Sequence, residues 1–393
     1  MSKLQDLLSL PIKDQQSAGY SCTAAEIASQ PVVWQKTLRV VKRLLPALSE
    51  FCNGVNRLVL TGAGSSYYAA VSMMPLLKRA FPSVEAIPST ESLMDPESCF
   101  PRDGFVRVSI ARSGNSPESS AVLALAEQLR PGAVKHIVIT CSPDGELSSM
   151  AQRCGTRAFR LVLPEESNDK GLAMTASFTS LSIAGFSLGF LKAPSDYTAI
   201  VDGLCKAAGP LLERGSDLAS AESGNGYSRM FFLGTRPFFG GALEAHLKVQ
   251  ELSGGAVVTK AEDSLGFRHG PMAAVDAHSL IVLFLSGSAY RRRYELDLLK
   301  ELRDKRMGKK TNVVCDRVDG LVLSSEGPAP DVMDYGPAPT VTDEVRAPLL
   351  AVMGQLLGLF FSLAVGLQPD TPSPSGIISR VVQGVRIHPY SER

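Results

Sequence analysis

Residues 57–70 read RLVLTGAGSSYYAA, an almost unbroken apolar run that passes through glycines and serines into small, helix-compatible residues. A continuous apolar run is typical of a parallel strand buried on both faces, and the change to helical periodicity indicates a helix directly after it. The same succession returns at 229–245, RMFFLGTRPFFGGALEA. The two stretches predict an α/β fold made of two similar halves.

Anchor residues in the two halves support this internal repeat. Gly62 and Gly234 are 172 positions apart, Ser92 and Ser264 are also 172 apart, and Ser113 and Ser286 are 173 apart. The predicted elements follow one order: strands at 57–66, 84–92 and 104–116, a helix at 117–130 and a strand at 135–143, then strands at 229–237, 256–264 and 278–288, a helix at 290–306 and a strand at 311–316. We expect each half to be a doubly wound parallel sheet flanked by helices.

Chain length predicts more than one domain. The 393 residues exceed what one hydrophobic core usually accommodates. A polar stretch rich in Gly and Ser within 206–227 is the candidate boundary. We therefore predict a mostly helical segment at 1–50, a first domain at 51–205, and a second domain with a C-terminal tail at 225–393.

Composition and charge limit the classes of partner. Forty basic and 39 acidic residues leave a formal charge of +1, which provides no general field for nucleic acid or an anionic membrane. The seven cysteines are scattered without a C-x-x-C pair, so we expect reduced thiols, no metal site and a cytoplasmic location. Residues 1–16 do not have the pattern of a signal peptide.

One apolar segment could be read in two ways. Residues 348–367, PLLAVMGQLLGLFFSLAVGL, are long enough for a membrane span. A comparable apolar stretch at 175–191 ends the first half. We interpret both as buried helices and expect no membrane partner.

Two loops of the first half have the chemistry of a phosphate site. Gly64 permits a tight turn before Ser65 and Ser66, whereas Ser113, Asn115 and Ser116 precede Pro117, a residue favoured at the first helical position. Both loops offer a helix N-terminus and hydroxyl groups to a dianion at the carboxyl ends of strands.

Other interpretations of these residues remain open. Serines at helix starts are frequently N-caps, and Thr175 and Ser177, the further candidate substrate contacts, can serve as caps in the same way. A G-x-G turn can also open a dinucleotide site, with Glu85 near the place of the ribose-binding acid. Tyr67 stands where that motif needs its third glycine, which argues against this alternative.

The second half has candidate acid and base residues instead of the serines. Glu244, Lys248 and Glu251 share one face of a helix predicted at about 241–252. The alternative is an exposed ion pair between Glu244 and Lys248. Glu251 beside Ser253 and two glycines is suited to a general base, and His269 in a Gly/Pro loop is the second candidate.

These motifs together resemble the SIS, or sugar isomerase, family over roughly residues 50–393. The likeness rests on GAGSSYYAA (62–70), SGNSPES (113–119), EAHLKVQELSGG (244–255), SLGFRHGP (264–271) and PSPSGIISRVVQGVRIHP (372–389). It is greatest to tandem-SIS enzymes of AgaS type, the galactosamine-6-phosphate deaminase/isomerases. The isomerase domain of glucosamine-6-phosphate synthase is a more distant likeness.

The resemblance implies two tandem SIS domains, each with a five-stranded sheet. It implies that the serines of the two loops bind phosphate, that Glu251 moves a proton between C1 and C2, that His269 opens the ring, and that Lys248 belongs to the catalytic helix. It also implies a homodimer with composite sites, in which His269 acts across the interface, and chemistry that needs no cofactor.

Two departures from the synthase matter. No amidotransferase domain with an N-terminal Cys nucleophile precedes residue 50, so synthesis of amino sugars from glutamine is not expected. No lysine follows Lys310 to match the synthase's C-terminal catalytic lysine, and Arg380 is the candidate substrate contact in this tail.

The expected reaction converts galactosamine 6-phosphate to tagatose 6-phosphate and ammonia. One alternative is the same chemistry on glucosamine 6-phosphate or a sugar–amine conjugate. The other is a non-catalytic phosphosugar-binding regulator, because fold alone does not fix function.

Overall fold

A computed structural model describes residues 1–321, 327–382 and 384–391. Gln383 of the tail motif lies outside the described residues. The chain begins with three helices: α1 (Lys3–Ser9), α2 (Ile12–Ser17) and α3 (Ser21–Phe51).

The start of α3 is capped from far along the chain. The carboxylate of Asp370 accepts hydrogen bonds from the backbone N–H groups of Cys22 (3.0 Å) and Thr23 (2.7 Å), and from the Thr23 hydroxyl (2.7 Å). A helix N-terminus favours such a carboxylate, since its first N–H groups have no partner within the helix.

The first half of the chain forms a parallel five-stranded sheet in the order β2-β1-β3-β4-β5. Its central strand is buried along its whole length, as expected for a strand covered on both faces. The elements in chain order are β1 (Arg57–Gly62), α4 (Ser65–Leu77), β2 (Ser83–Pro88), α5 (Ser89–Met94), α6 (Pro96–Cys99), β3 (Phe105–Ala111), α7 (Pro117–Leu129), β4 (Val134–Thr140), α8 (Glu146–Arg153), β5 (Ala158–Val162) and α9 (Ala176–Phe186).

The second half repeats this topology. Read from the other edge, its sheet has the order β7-β6-β8-β9-β10, so each strand occupies the place of the strand five numbers earlier. The elements are α10 (Pro194–Ser223), β6 (Arg229–Leu233), α11 (Phe239–Leu252), β7 (Val258–Glu262), β8 (Ser279–Phe284), α12 (Ala289–Asp304), β9 (Lys310–Cys315), β10 (Asp331–Asp334) and α13 (Ala347–Ala364). The predicted fold of two doubly wound parallel sheets is confirmed.

The described chain divides into two compact units. The unit of the first sheet contains residues 33–168, 176–201 and the chain from 375 onward. The unit of the second sheet contains residues 1–32, 169–175 and 202–374. Residues 206–223, within the predicted boundary, lie in α10. The domain limits given above stay a prediction.

The long apolar segment of the second half is a core helix. Helix α13 passes the length and composition test for a membrane span, but 89% of it is buried inside the fold. The buried-helix interpretation is therefore confirmed, and the apolar residues of α13 are explained by packing within its unit.

Helix α13 packs closely on α11 through two glycines. A Cβ at Gly354 would lie 2.3 Å from Ala245 Cα, and a Cβ at Gly358 would lie 2.9 Å from the Lys248 carbonyl oxygen. Only glycine permits this approach of two helix backbones. The helix that carries the candidate acid and base residues is thereby fixed against the core.

Candidate active site

The first serine loop joins β1 to α4 in a tight turn. Gly64, at the N-cap of α4, has φ 53° and ψ −129°, a conformation that favours glycine. A Cβ at Gly62 would lie 2.5 Å from the carbonyl carbon of Ser66, so this glycine permits close packing of strand and helix. Ser65 and Ser66 lie buried in the first helical turn. The predicted arrangement of turn, hydroxyls and helix N-terminus is present.

The second serine loop joins β3 to α7. Pro117 is the first residue of α7, and Gly114 has φ 67°. The Ser116 hydroxyl donates to Glu118 Oε2 at 2.5 Å. Because β1 and β3 are neighbours in a parallel sheet, both loops lie at the same edge of that sheet.

Asn115 connects this loop to the loop before α8 by a hydrogen bond. Its backbone N–H donates to Ser113 Oγ at 3.3 Å, and its Oδ1 accepts from the Glu146 backbone N–H at 3.0 Å. The amide oxygen is thus used to hold the start of α8. Asn115 as a phosphate ligand stays a prediction.

The other candidate contacts of the first half are held by protein groups. The backbone N–H and hydroxyl of Thr175 both donate to the carboxylate of Asp169 at 2.8 Å. Ser177 is fully buried in α9. Arg380 is exposed and donates from Nη2 to Asn168 Oδ1 at 2.8 Å. Their contact with substrate stays a prediction, and Thr175 has the hydrogen bonds of a structural group.

The acid and base helix holds a buried charged triad. Lys248 Nζ lies 2.5 Å from Glu251 Oε2 and 3.3 Å from Glu244 Oε1. The side chains of Lys248 and Glu244 are fully buried, whereas that of Glu251 is 24% exposed. The alternative of an exposed pair between Glu244 and Lys248 is wrong, because both groups face the core.

The charge of Lys248 follows from its partners. Burial alone would lower the pKa of Lys248, but the carboxylates of Glu244 and Glu251 outweigh burial and hold that pKa above its ordinary value. Lys248 is therefore an ammonium ion at neutral pH. It can orient Glu251 through a charge-assisted hydrogen bond but cannot accept a proton.

His269 projects from a rigid loop between β7 and β8. Asp263 Oδ1 accepts the backbone N–H groups of Leu265 (3.1 Å) and Gly266 (2.8 Å), and Phe267 is buried in the core. Within the part of the chain that the structure describes, the exposed ring of His269 makes no hydrogen bond or ion pair, with Glu251 or any other group. The loop therefore presents His269 to solvent.

One cluster of metal-ligand type lies elsewhere in the described chain. Ligand atoms of Glu127, His136 and Cys154 lie within 4.8 Å of one another. Glu127 Oε1 is already bound by His136 Nε2 (2.8 Å) and Arg157 Nη1 (2.6 Å). Burial, together with the charge of Arg107, lowers the pKa of His136 to about 4. Two adjacent guanidinium groups oppose a divalent cation, so we interpret this cluster as an ion-pair network.

The fold and the site define a protein of the sugar-isomerase class, because they combine two parallel five-stranded sheets, serine loops at one sheet edge and a buried Glu–Lys–Glu triad. Residues 53–188 match the family model of the SIS domain. The AgaS protein of Streptomyces coelicolor is 39% identical over 380 residues, which cover 94% of this chain and 96% of that protein. The D-galactosamine-6-phosphate deaminase AgaS of Escherichia coli is 34% identical over 377 residues, with the same shares covered. The chain belongs to the AgaS family of SIS-domain proteins.

A solved structure agrees with this assignment. The crystal structure of tagatose-6-phosphate ketose/aldose isomerase from Escherichia coli superposes with a TM-score of 0.83 at 30% identity, covering 94% of this chain and 97% of that chain.

Proposed function

We propose that this protein is a deaminase that converts D-galactosamine 6-phosphate and water to D-tagatose 6-phosphate and ammonia. The observation that carries the proposal is the similarity, over 94% of the chain, to a protein named D-galactosamine-6-phosphate deaminase. A similar solved protein is named a ketose/aldose isomerase. The first name describes removal of an amino group from a sugar phosphate, and the second describes interconversion of a ketose and an aldose phosphate.

The phosphate group would bind at the two serine loops of the first sheet. Gly64, Ser65 and Ser66 supply one helix N-terminus, and Ser113, Asn115 and Ser116 supply the other. Binding energy at the phosphate, far from the reacting carbons, would orient C1 and C2 for proton transfer. Thr175, Ser177 and Arg380 are further candidate contacts.

Glu251 is the proposed base. Its Oε2 is held by Lys248 at 2.5 Å, and among the described residues no hydrogen bond reaches its Oε1. Oε1 would remove the C2 proton of the open-chain aldose and return it to C1, while O1 takes up a proton and the C2 amino group gives one up. The product is a C2 imine, which water hydrolyses to the C2 ketone with release of ammonia. The reaction is therefore a hydrolysis that follows an isomerisation.

His269 is the proposed ring-opening group. We expect a homodimer, because the exposed position of His269 suits a site completed by a second copy of the chain. A monomer by light scattering with full activity would contradict the composite site. The proposed location is the cytoplasm, where sugar phosphates are metabolised.

The experiment measures ammonia and ketose formation with purified wild type, E251Q and the control E213Q, whose exposed Glu213 lies in α10. Galactosamine 6-phosphate and glucosamine 6-phosphate are compared, and interconversion of galactose 6-phosphate with tagatose 6-phosphate is followed in parallel. We expect E251Q to lose about 100-fold or more of kcat while E213Q matches wild type.

Other outcomes distinguish the alternatives. Faster ammonia release from glucosamine 6-phosphate would indicate that this sugar is the substrate. Ketose formation without ammonia would indicate that the protein is an isomerase and not a deaminase. Tight binding of both sugars with no turnover would indicate that the protein is a phosphosugar-binding regulator and not an enzyme. Full activity of E251Q would exclude Glu251 as the base.

A further inference from the structure

The second sheet has a counterpart of the second serine loop. Strand β8 occupies the place of β3, and residues 286–288 lead from β8 into the 16-residue helix α12 as residues 113–116 lead into α7. Ser286 corresponds to Ser113 in the internal repeat. We call residues 286–288, with Arg291 and Arg346, the second cradle.

The second cradle contains a carboxylate of the same chain. Asp343 Oδ1 accepts the backbone N–H of Gly287 at 2.9 Å. Asp343 Oδ2 accepts the Ser286 hydroxyl and Arg291 Nη2, the latter at 2.7 Å. Arg291 Nε also donates to Ser286 Oγ at 3.1 Å, which fixes the hydroxyl. Backbone N–H, hydroxyl and guanidinium are the donors that bind oxyanions at helix N-termini.

Arg346 gives an independent indication of an anion site. Its side chain is 5% exposed, and Nη1 lies 3.5 Å from Asp343 Oδ1 without a hydrogen bond among the described residues. Nη2 is paired with Asp316 at 2.6 Å. The buried guanidinium group of Arg346 therefore faces the carboxylates of Asp343 and Asp316, and loss of Asp343 would remove one of these two carboxylates from a buried cation.

Asp343 is an anion in this setting. Burial alone would raise the pKa of Asp343, but hydrogen bonds from Ser286, Arg291 and Gly287 hold it below its ordinary value.

We propose that the second cradle is an oxyanion site that the chain fills with its own Asp343, and that removal of this side chain lets the site bind a small external carboxylate. This inference does not depend on the deaminase reaction, since its measurement is stability.

The test uses D343G, which removes both the carboxylate and the methylene group that would obstruct formate. Thermal unfolding of the full chain is followed in sodium formate and in sodium chloride of equal ionic strength at pH 7. We expect the unfolding midpoint of D343G to rise saturably with formate by at least about 2 °C. D343N, whose amide fills the same space without charge, is the matched control and should not respond, and neither should wild type.

A second measurement tests the proposal even if D343G folds poorly. D343G and D343A are refolded from urea in formate and in chloride, and a higher yield in formate supports the proposal. If neither variant gains midpoint or refolding yield from formate beyond D343N, the second cradle is no oxyanion site and the proposal is overturned.

Discussion

Replacing Gly354 by alanine should separate the two helices that hold the acid and base residues in place. The new methyl group would lie 2.3 Å from Ala245 Cα, and ordinary contact begins at 3.4 Å. Helices α11 and α13 would therefore have to move apart by about 1 Å, because backbone atoms cannot rotate away as a side chain can.

The expected cost follows from two opposing effects. Overpacking a core costs about 1–3 kcal/mol, with the upper end expected where backbone is the obstacle. Alanine gains about 1 kcal/mol over glycine within a helix. The free energy of unfolding should thus fall by about 2 kcal/mol. G358A should cost less, because the nearest backbone atom to its new methyl group, the Lys248 carbonyl oxygen, lies 2.9 Å away, and the Leu252 side chain at 2.6 Å can move aside.

The matched control is G209A in α10. Gly209 is exposed, and apart from its chain neighbours a methyl group added to it would have no atom within 4 Å, so no contact with another element is strained. Because Pro210 follows, the new methyl group would also meet the proline ring, which offsets the gain in helix propensity. G209A should therefore change the free energy of unfolding by no more than about 1 kcal/mol in either direction.

Urea unfolding by far-UV circular dichroism measures the order of stability, and hydrogen exchange of residues 239–252 shows whether α11 is the part that loosens. G209A and wild type should be the most stable, followed by G358A and then G354A. A G354A variant as stable as G209A, with unchanged exchange at 239–252, would refute the close packing of α11 on α13.

Three further predictions concern buried charges. Burial, followed by the charge of Asp169, raises the pKa of Glu26 to about 7. The stability contributed by protonated Glu26 should therefore be lost as pH rises from about 4.5 through 7, so the free energy of unfolding of wild type relative to E26Q should fall by up to about 3 kcal/mol between urea titrations at pH 5 and 8. K248M leaves the carboxylates of Glu244 and Glu251 without their cation and should lower the free energy of unfolding by about 3–5 kcal/mol. The double variant K248M/E244L should recover stability but not activity. Equal stability of K248M and wild type would contradict the triad. Arg107 is fully buried in β3, its Nε and Nη1 have no hydrogen bond among the described residues, and burial lowers its pKa to about 9. R107M should thus raise thermal stability by about 1–4 kcal/mol, and a large loss would show that the guanidinium has a required partner.

The sequence predicted the central strands because burial on both faces leaves continuous apolar runs. It did not predict β5 and β10, whose short sequences AFRLV and DVMD each include charged residues and lie partly exposed at sheet edges. Helix α10 lies where a polar linker was expected, since a helix with one apolar face can have the composition of a loop.

In the candidate site too, the sequence located some residues and missed the surroundings of others. Turn glycines, capping serines and Pro117 are local signals, so the two serine loops could be located from sequence. The full burial of Lys248 and Glu244 depends on α13, which follows about a hundred positions later, and its one local signal is the pair Gly354 and Gly358. The carboxylate of Asp343 in the second cradle had no local signal, because it lies 57 positions from Ser286.

The cap of α3 by Asp370 bears on how the chain can complete its fold during synthesis. The N-terminus of α3 leaves the ribosome early, yet its capping carboxylate is made 347 positions after Thr23. Closing so long a loop is slow, and the unit that contains residues 1–32 cannot finish before residue 370 has emerged. Expression of the second half alone from residue 225 would omit α1, α2 and the start of α3, so such a fragment should need residues 1–32 supplied separately to reach its native state.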